Sequence, residues 1–182
     1  IVTTTPSVSE KELFLRRRCY MGISLDNPVF RNASLHALVH WAIDHFDECL
    51  IVVGDLLRRF NEEMLNGLRG ADAAAAALAQ GDAFLSGTEA FFDSLPTGRV
   101  KIVRWKDCLD APLYSQARAA LDRLYAQEGL FRAAVQRDAW SFVRRQRRRG
   151  NPPAVSEERA IELSCLYLLE ETAVFSSLAE RG

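Results

Sequence analysis

The strongest constraint on how this chain can fold is a pair of short apolar runs, CYMGI at 19–23 and CLIVVG at 49–54, separated by a stretch with helical periodicity. Neither run alternates polar with apolar residues, which is the pattern of strands buried on both faces of a parallel sheet. Between them Leu35, Leu38, Val39, Ala42 and Phe46 recur at helical spacing, and Ser34 stands where an N-cap is needed. Strand, helix and strand in this compass form a βαβ unit, which requires parallel pairing and a right-handed crossover.

The rest of the chain extends that pattern. Asp55 to Asn66 reads as helical. The Ala-rich segment 71–95 reads as one helix that its two glycines leave free to kink. The turn Pro96-Thr97-Gly98 leads into a third strand, Val100 to Val103. Helices follow over 112–128 and 130–149 and stop at Gly150-Asn151-Pro152-Pro153, because glycine and proline end helices. Ser156 caps a last helix that runs to about Glu180, with Glu157 and Glu158 in its favourable first turn. The expectation is an α/β fold: a single Rossmann-like domain over 1–182, with a parallel sheet core flanked by many helices and residues 1–15 as a loose arm.

Composition narrows the function classes. No apolar run reaches the roughly 18 residues of a membrane helix, and IVTTTPSVSEKE lacks the basic-then-apolar start of a secretory signal. Cys19, Cys49, Cys108 and Cys165 sit singly in apolar runs with no CxxC pair, which reads as reduced core thiols in a cytoplasmic protein and as no metal site. There is no GxGxxG and no Walker loop, so no nucleotide cofactor is expected. The net charge is −1, yet Arg144, Arg145, Arg147, Arg148 and Arg149 lie within six positions, and Arg16, Arg17 and Arg18 precede the first strand. Arginine suits bidentate phosphate contacts; a solvated, dipole-complementing helix end explains the cluster equally well.

Two constellations could carry chemistry. Ser24 follows the first strand directly, in the position where open parallel sheets bind ligands, and Gly22 permits close approach of a substrate. A hydrolase elbow would need GxSxG, but Asp26 occupies the last position. His36, His40 and His45 all lie in the following helix and cannot complete that triad order. A serine without a strong base needs an activated substrate, and an aminoacyl ester on tRNA is one. The second constellation is Tyr167 with Glu171, four apart on one helix face that continues through Leu163, Val174 and Leu178. A carboxylate on an apolar face needs a partner, either a substrate ammonium or an internal arginine.

Together, Tyr20-Met21-Gly22-Ile23-Ser24, Asn27 three residues on, and Tyr167-x-x-x-Glu171 resemble the signatures of the tRNA-dependent cyclodipeptide synthases. Asn27-Pro28-Val29-Phe30, Trp41 and the run Leu50 to Val53 are similar to that family as well, and the likeness runs from about Cys19 to Leu178. The resemblance implies a fold like the catalytic domain of the tyrosyl- and tryptophanyl-tRNA synthetases, without their HIGH and KMSKS motifs. It implies an aminoacyltransferase that joins two aminoacyl-tRNAs into a 2,5-diketopiperazine by a ping-pong route through aminoacyl-Ser24. Tyr167 and Glu171 would hold the aminoacyl ammonium, and Asn27 with the backbone near Gly22 would position the ester. Tyr20, Val52, Gly54 and Val174 would line the pocket for the first side chain.

Departures from the family set further expectations. Thr172-Ala173 follows Glu171 where the family usually has a proline. The family's further catalytic Tyr, on a later strand, would fall beyond Gly182. The family's Arg-rich helix between strands two and three corresponds to 71–95, which holds no Lys or Arg. RNA contact is therefore expected at Arg144, Arg145, Arg147, Arg148 and Arg149, with Arg16 to Arg18, Arg58 and Arg59. Tyr20, large and polar-tipped where the family often has a smaller apolar residue, and Asp55 and Glu170, expected to add negative charge near the pocket, favour a polar or basic first side chain. The partners implied are two aminoacyl-tRNAs, with no cofactor, metal or membrane and a monomeric state. A non-catalytic RNA-binding module of this fold and a serine esterase are the competing readings.

Overall fold

In the computed structural model, which describes residue 12 and residues 15–179, the chain divides into two compact units. One comprises residues up to 53 and 83–103, the other 54–82 and 104 onward. The expected N-terminal arm falls largely outside the described residues.

The first unit is built on a sheet in the order β1-β2-β3, formed by Arg18–Ile23 (β1), Glu48–Val53 (β2) and Val100–Arg104 (β3). β1 and β2 pair in parallel from Arg18↔Glu48 to Ile23↔Val53, so both strands end on the same rung. Helix α1, Asn32–His45, makes the connection between them. Cys49, Ile51 and Val53 are two apart and therefore share one sheet face. They pack with Leu35, Val39, Ala42 and Ile43 of α1, and with Ile23 and Leu95, as the core of this unit. Helix α3, Gly70–Asp93, is continuous, and Phe84, Leu85, Phe91 and Phe92 from its C-terminal part pack on that core. Arg99 donates to the carbonyls of Ile43 and Phe46 at the C-terminal end of α1.

Two local expectations are corrected here. β1 is not buried on both faces: it lies at the sheet edge, where Arg18 and Tyr20 are exposed, and only the central β2 has the nearly continuous burial that its sequence suggests. Ser34 is not the N-cap of α1. The helix begins at Asn32, so Ser34 lies inside its first turn, and Arg31 caps it without a side-chain bond.

The second unit is helical. Leu56–Arg58 forms a 3-10 turn, followed by α2 (Arg59–Asn66), α4 (Trp105–Leu109), α5 (Pro112–Gln127), α6 (Gly129–Arg148) and α7 (Glu157–Ala179). Ser156 accepts a bond from the Arg159 amide at 3.2 Å and so caps α7, as its sequence predicts. α7 is the axis of the unit. Ala160, Leu163, Cys165, Leu169, Ala173 and Val174 are all buried along it, against α2, α5 and α6. The three-stranded parallel sheet and seven helices among the described residues place the chain in the α/β class. No described helix is long and apolar enough to cross a membrane.

Candidate active site

In the first unit, Ser24 is exposed immediately after β1. Its carbonyl accepts the Asn27 amide at 3.0 Å, closing a tight turn. Asn27 then N-caps the 3-10 turn Pro28–Phe30, its Oδ1 accepting the Val29 amide at 3.1 Å. Pro28 suits the first position of that turn because its missing N–H would have no partner there. The sequence Ser24-x-x-Asn27-Pro28 therefore encodes its own local geometry: a strand end, a turn and a cap that fix the backbone around the hydroxyl. Gly22 sits opposite Val52 in the ladder, with Val52 fully buried and Tyr20 about half exposed at 47%.

In the second unit, two adjacent glutamates on α7 have opposite fates. Glu170 is buried and holds Arg59 through two bonds, 2.8 and 2.5 Å, and the Trp105 indole N–H at 2.9 Å. Arg118 approaches the same carboxylate at 4.0 Å. Glu171 is half-buried, and among the described residues no cation pairs with it. Burial alone pushes its carboxyl above the usual range. One turn earlier on the same face, burial and the nearby Glu171 charge raise the Tyr167 hydroxyl, while Arg58 acts in the opposite sense. At neutral pH Tyr167 is thus a neutral hydroxyl beside an uncompensated carboxyl. That is a receptor for a cation: a hydrogen-bonding oxygen and a negative charge in a partly desolvated setting.

Asp55 plays a different part from the one its sequence suggests. It is fully buried and accepts from the Leu56 amide at 2.7 Å, the Trp105 amide at 3.1 Å and Arg104 Nε at 2.5 Å. Arg104 also reaches Asp82 at 2.5 Å and the Leu78 carbonyl at 3.2 Å. Both carboxylates invoked for a polar or basic side-chain preference, Asp55 and Glu170, are therefore neutralised internally, which leaves the exposed, polar-tipped Tyr20 as its remaining ground. Gly54 is half-buried and Val174 fully buried in this unit.

The arginines sort similarly. Arg58 is held by the buried Glu62 at 2.8 Å, and Glu62 also takes Asn66 and Gln80. With Arg59 bound to Glu170, neither matches the expected role of a phosphate contact. Arg147 pairs with Glu157. Arg144, Arg145, Arg148 and Arg149 are exposed and have no ion pair among the described residues. Arg17 pairs with Asp47 and Arg18 with Glu48, all at the surface. Sequence reasoning missed Trp105 and Arg104, which hold Glu170 and Asp55; only their partners, distant in sequence, reveal them. No cluster of metal-ligating side chains occurs among the described residues.

The family model described as cyclodipeptide synthase matches residues 3–178. A cyclodipeptide synthase from Fluoribacter dumoffii is similar in structure, with a TM-score of 0.82 and 26% identity over 94% of this chain and 76% of that one. A Mycobacterium tuberculosis protein, described as showing that these enzymes are related to type I tRNA synthetases, has a TM-score of 0.73 and 15% identity, covering 92% and 70% of the two chains. A cyclodipeptide synthase from Candidatus Glomeribacter gigasporarum bound to Phe-tRNA has a TM-score of 0.68 and 14% identity, covering 90% and 72%. No curated protein sequence shows significant similarity to the chain.

Proposed function

Since the chain belongs to the cyclodipeptide synthase family, which forms cyclodipeptides from aminoacyl-tRNAs, we propose that Ser24 is its nucleophile and that Tyr167 and Glu171 receive the substrate ammonium. The observation that carries this reading is the contrast on α7. Glu170 consumes the internal arginine, while Glu171, on the Tyr167 face, keeps a half-buried carboxyl with no cation among the described residues.

The reaction then runs as follows. Ser24 Oγ attacks the ester carbonyl of the first aminoacyl-tRNA. A serine ester forms, the bond to the tRNA ribose breaks, and that ribose oxygen leaves with a proton. The α-amine of aminoacyl-Ser24 attacks the ester of the second aminoacyl-tRNA, giving a dipeptide on Ser24 and a second free tRNA. The new terminal amine attacks the serine ester, closes the diketopiperazine ring and returns the Ser24 hydroxyl. Each amine must shed its proton before it attacks. A carboxyl whose proton affinity is raised by burial both attracts the ammonium and is matched to accept that proton. Covalent capture turns a three-body condensation into oriented steps. No histidine is needed, because the ester arrives already activated.

Asn27 and the backbone at Gly22 position the ester; Tyr20 and Gly54 contact the first side chain, and the fully buried Val52 and Val174 shape its pocket from within the core of their own units. Asp55 belongs to the frame around Arg104 and not to the pocket surface. The basic surface at Arg144, Arg145, Arg148 and Arg149 contacts tRNA phosphates in place of α3, which holds no Lys or Arg. Dependence on aminoacyl-tRNA places the protein in the cytoplasm, and the chain acts as a monomer.

The test is expression in a bacterium with mass spectrometry of the medium for cyclic dipeptides, beside Ser24→Ala. The expected result is a diketopiperazine with Ser24 and none without it, and an aminoacyl adduct on Ser24 in the intact mass after exposure to aminoacyl-tRNA. Product from a folded Ser24→Ala chain would refute the assignment.

A further inference from the structure

Helix α6 carries six arginines and one acidic residue, Asp138, in a chain whose net charge is −1. The buried residues of α6, Ala139 and Val143, mark its inward face. At 100° per residue, Arg137, Trp140, Ser141, Arg144 and Arg148 fall within one arc of about 100°, which runs from the flank at Trp140 to the side opposite those two residues. All five are exposed. Trp140 is 42% exposed, although a large indole on a helix normally finds cover. The Arg144 guanidinium lies over its ring, 4.3 Å from the centroid. Arg137 has only its neighbour Asp138, at 3.5 Å between two well-exposed side chains, a pair worth little in water. Arg144 and Arg148 have no ion pair among the described residues, whereas Arg147, at the margin of the stripe beside Trp140, is bound to Glu157.

We propose that this stripe is an RNA-docking surface: Trp140 stacks on an unpaired nucleotide of the aminoacyl-tRNA, and Arg137, Arg144 and Arg148 hold the flanking phosphates. The proposal rests on the reading of aminoacyl-tRNA as substrate given above. The stripe is about 17 Å long at 1.5 Å per residue. It combines the two elements that single-stranded nucleic acid needs, a flat aromatic platform and a row of cations. Its charge decides between occupants. A partner protein face would have to supply several carboxylates at this spacing, whereas a nucleic acid strand supplies an anion at every nucleotide by construction. An arginine stacked over one face of an indole is already arranged to extend a base stack, and it keeps its outer N–H groups for phosphate.

The experiment uses the full chain and deacylated bulk bacterial tRNA as the probe, with binding followed by fluorescence anisotropy over a salt series. Trp140→Ala is expected to weaken binding about 5- to 150-fold, the range of one lost base–aromatic stack. The slope of log K against log salt should stay unchanged, because no charge is removed. Trp140→Phe should recover most of the loss. Joint replacement of Arg137, Arg144 and Arg148 by Gln should lower the salt slope by about 2–3. The Michaelis constant for aminoacyl-tRNA should rise with Trp140→Ala. Circular dichroism confirms that each variant is folded.

Binding within twofold of the parent for Trp140→Ala, or an unchanged salt slope in the triple variant, would overturn the proposal. So would a change of oligomeric state without a change in tRNA binding, which would make the stripe a protein interface. The two readings separate cleanly. Stripe-dependent tRNA binding without any Ser24 adduct would sink the catalytic reading and leave the stripe standing. Cyclic dipeptide formation with tRNA binding indifferent to Trp140 would do the reverse.

Discussion

Helix α3 contains two interior glycines, Gly81 and Gly87, and replacing each by alanine separates local propensity from tertiary packing. Propensity alone says that both substitutions stabilise, by about 1 kcal/mol each. The structure says otherwise for Gly81. A Cβ there would lie 2.6 Å from Asp55 Cβ, 2.7 Å from Asp55 Oδ2 and 3.0 Å from Arg104 Nη2. Asp55 has nowhere to retreat, because Arg104, the Trp105 amide and the Leu56 amide all hold its carboxylate. Overpacking of this kind costs about 1–3 kcal/mol, and displacing one hydrogen bond to a charged group costs about 1.5–3 more. Set against the propensity gain, the net is a loss of about 1.5–5 kcal/mol. For a chain of this size that lowers Tm by roughly 3–20 °C. Nothing lies within 4 Å of the corresponding Cβ at Gly87, so Gly87→Ala should raise Tm by about 2–4 °C. Calorimetry and urea titration with a shared m-value measure both. If Gly81→Ala tracked Gly87→Ala, the close approach of α3 to the Asp55–Arg104 pair would be wrong.

Three further outcomes follow from the same structure. Burial holds the Glu171 carboxyl above the usual range, so the folded state binds its proton more tightly than the unfolded chain does. That penalty is absent below the unfolded carboxyl range and grows as pH rises through the raised folded value. Glu171→Gln should therefore melt higher than the parent near pH 7.5, with the difference vanishing toward pH 4, while cyclic dipeptide production is lost; equal melting curves at both pH values would contradict the burial argument. Trp105→Phe keeps most of the packing but removes the indole bond to Glu170, which Arg59 still holds, so denaturant titration should show a loss of about 1.5–3 kcal/mol. Ser24 is exposed, so Ser24→Ala should leave stability within about 0.5 kcal/mol while abolishing product, and a large drop in the urea midpoint would mean that the hydroxyl is structural.

Much of the frame is legible in the sequence. Hydrophobic runs set β1, β2 and β3, and the breakers at Gly150 to Pro153 and the cap at Ser156 set the boundary of α7, because these signals act within a few residues. The Ser24-x-x-Asn27-Pro28 turn is equally local, so the sequence carries it almost whole. The edge position of β1 was not legible. CYMGI and CLIVVG look alike as strings, and only strand order leaves one of them beside a single neighbour. Partner choice was not legible either. Glu170 and Glu171 are identical side chains one position apart, yet 100° of helix rotation turns one toward Arg59 and Trp105 and leaves the other without a cation among the described residues. The same holds for Asp55, which a linear reading places at a pocket and the fold encloses with Arg104, and for the arginines, of which Arg58 and Arg59 are bound inward while Arg144 and Arg148 face solvent. The sequence by itself determined the elements, their order and the chemistry available along the chain, since those depend on short-range pattern and residue type. Only the tertiary structure decided which charges are matched and which are not, because pairs such as Arg59 with Glu170, 111 positions apart, and Arg104 with Asp55, 49 apart, form only in the folded chain.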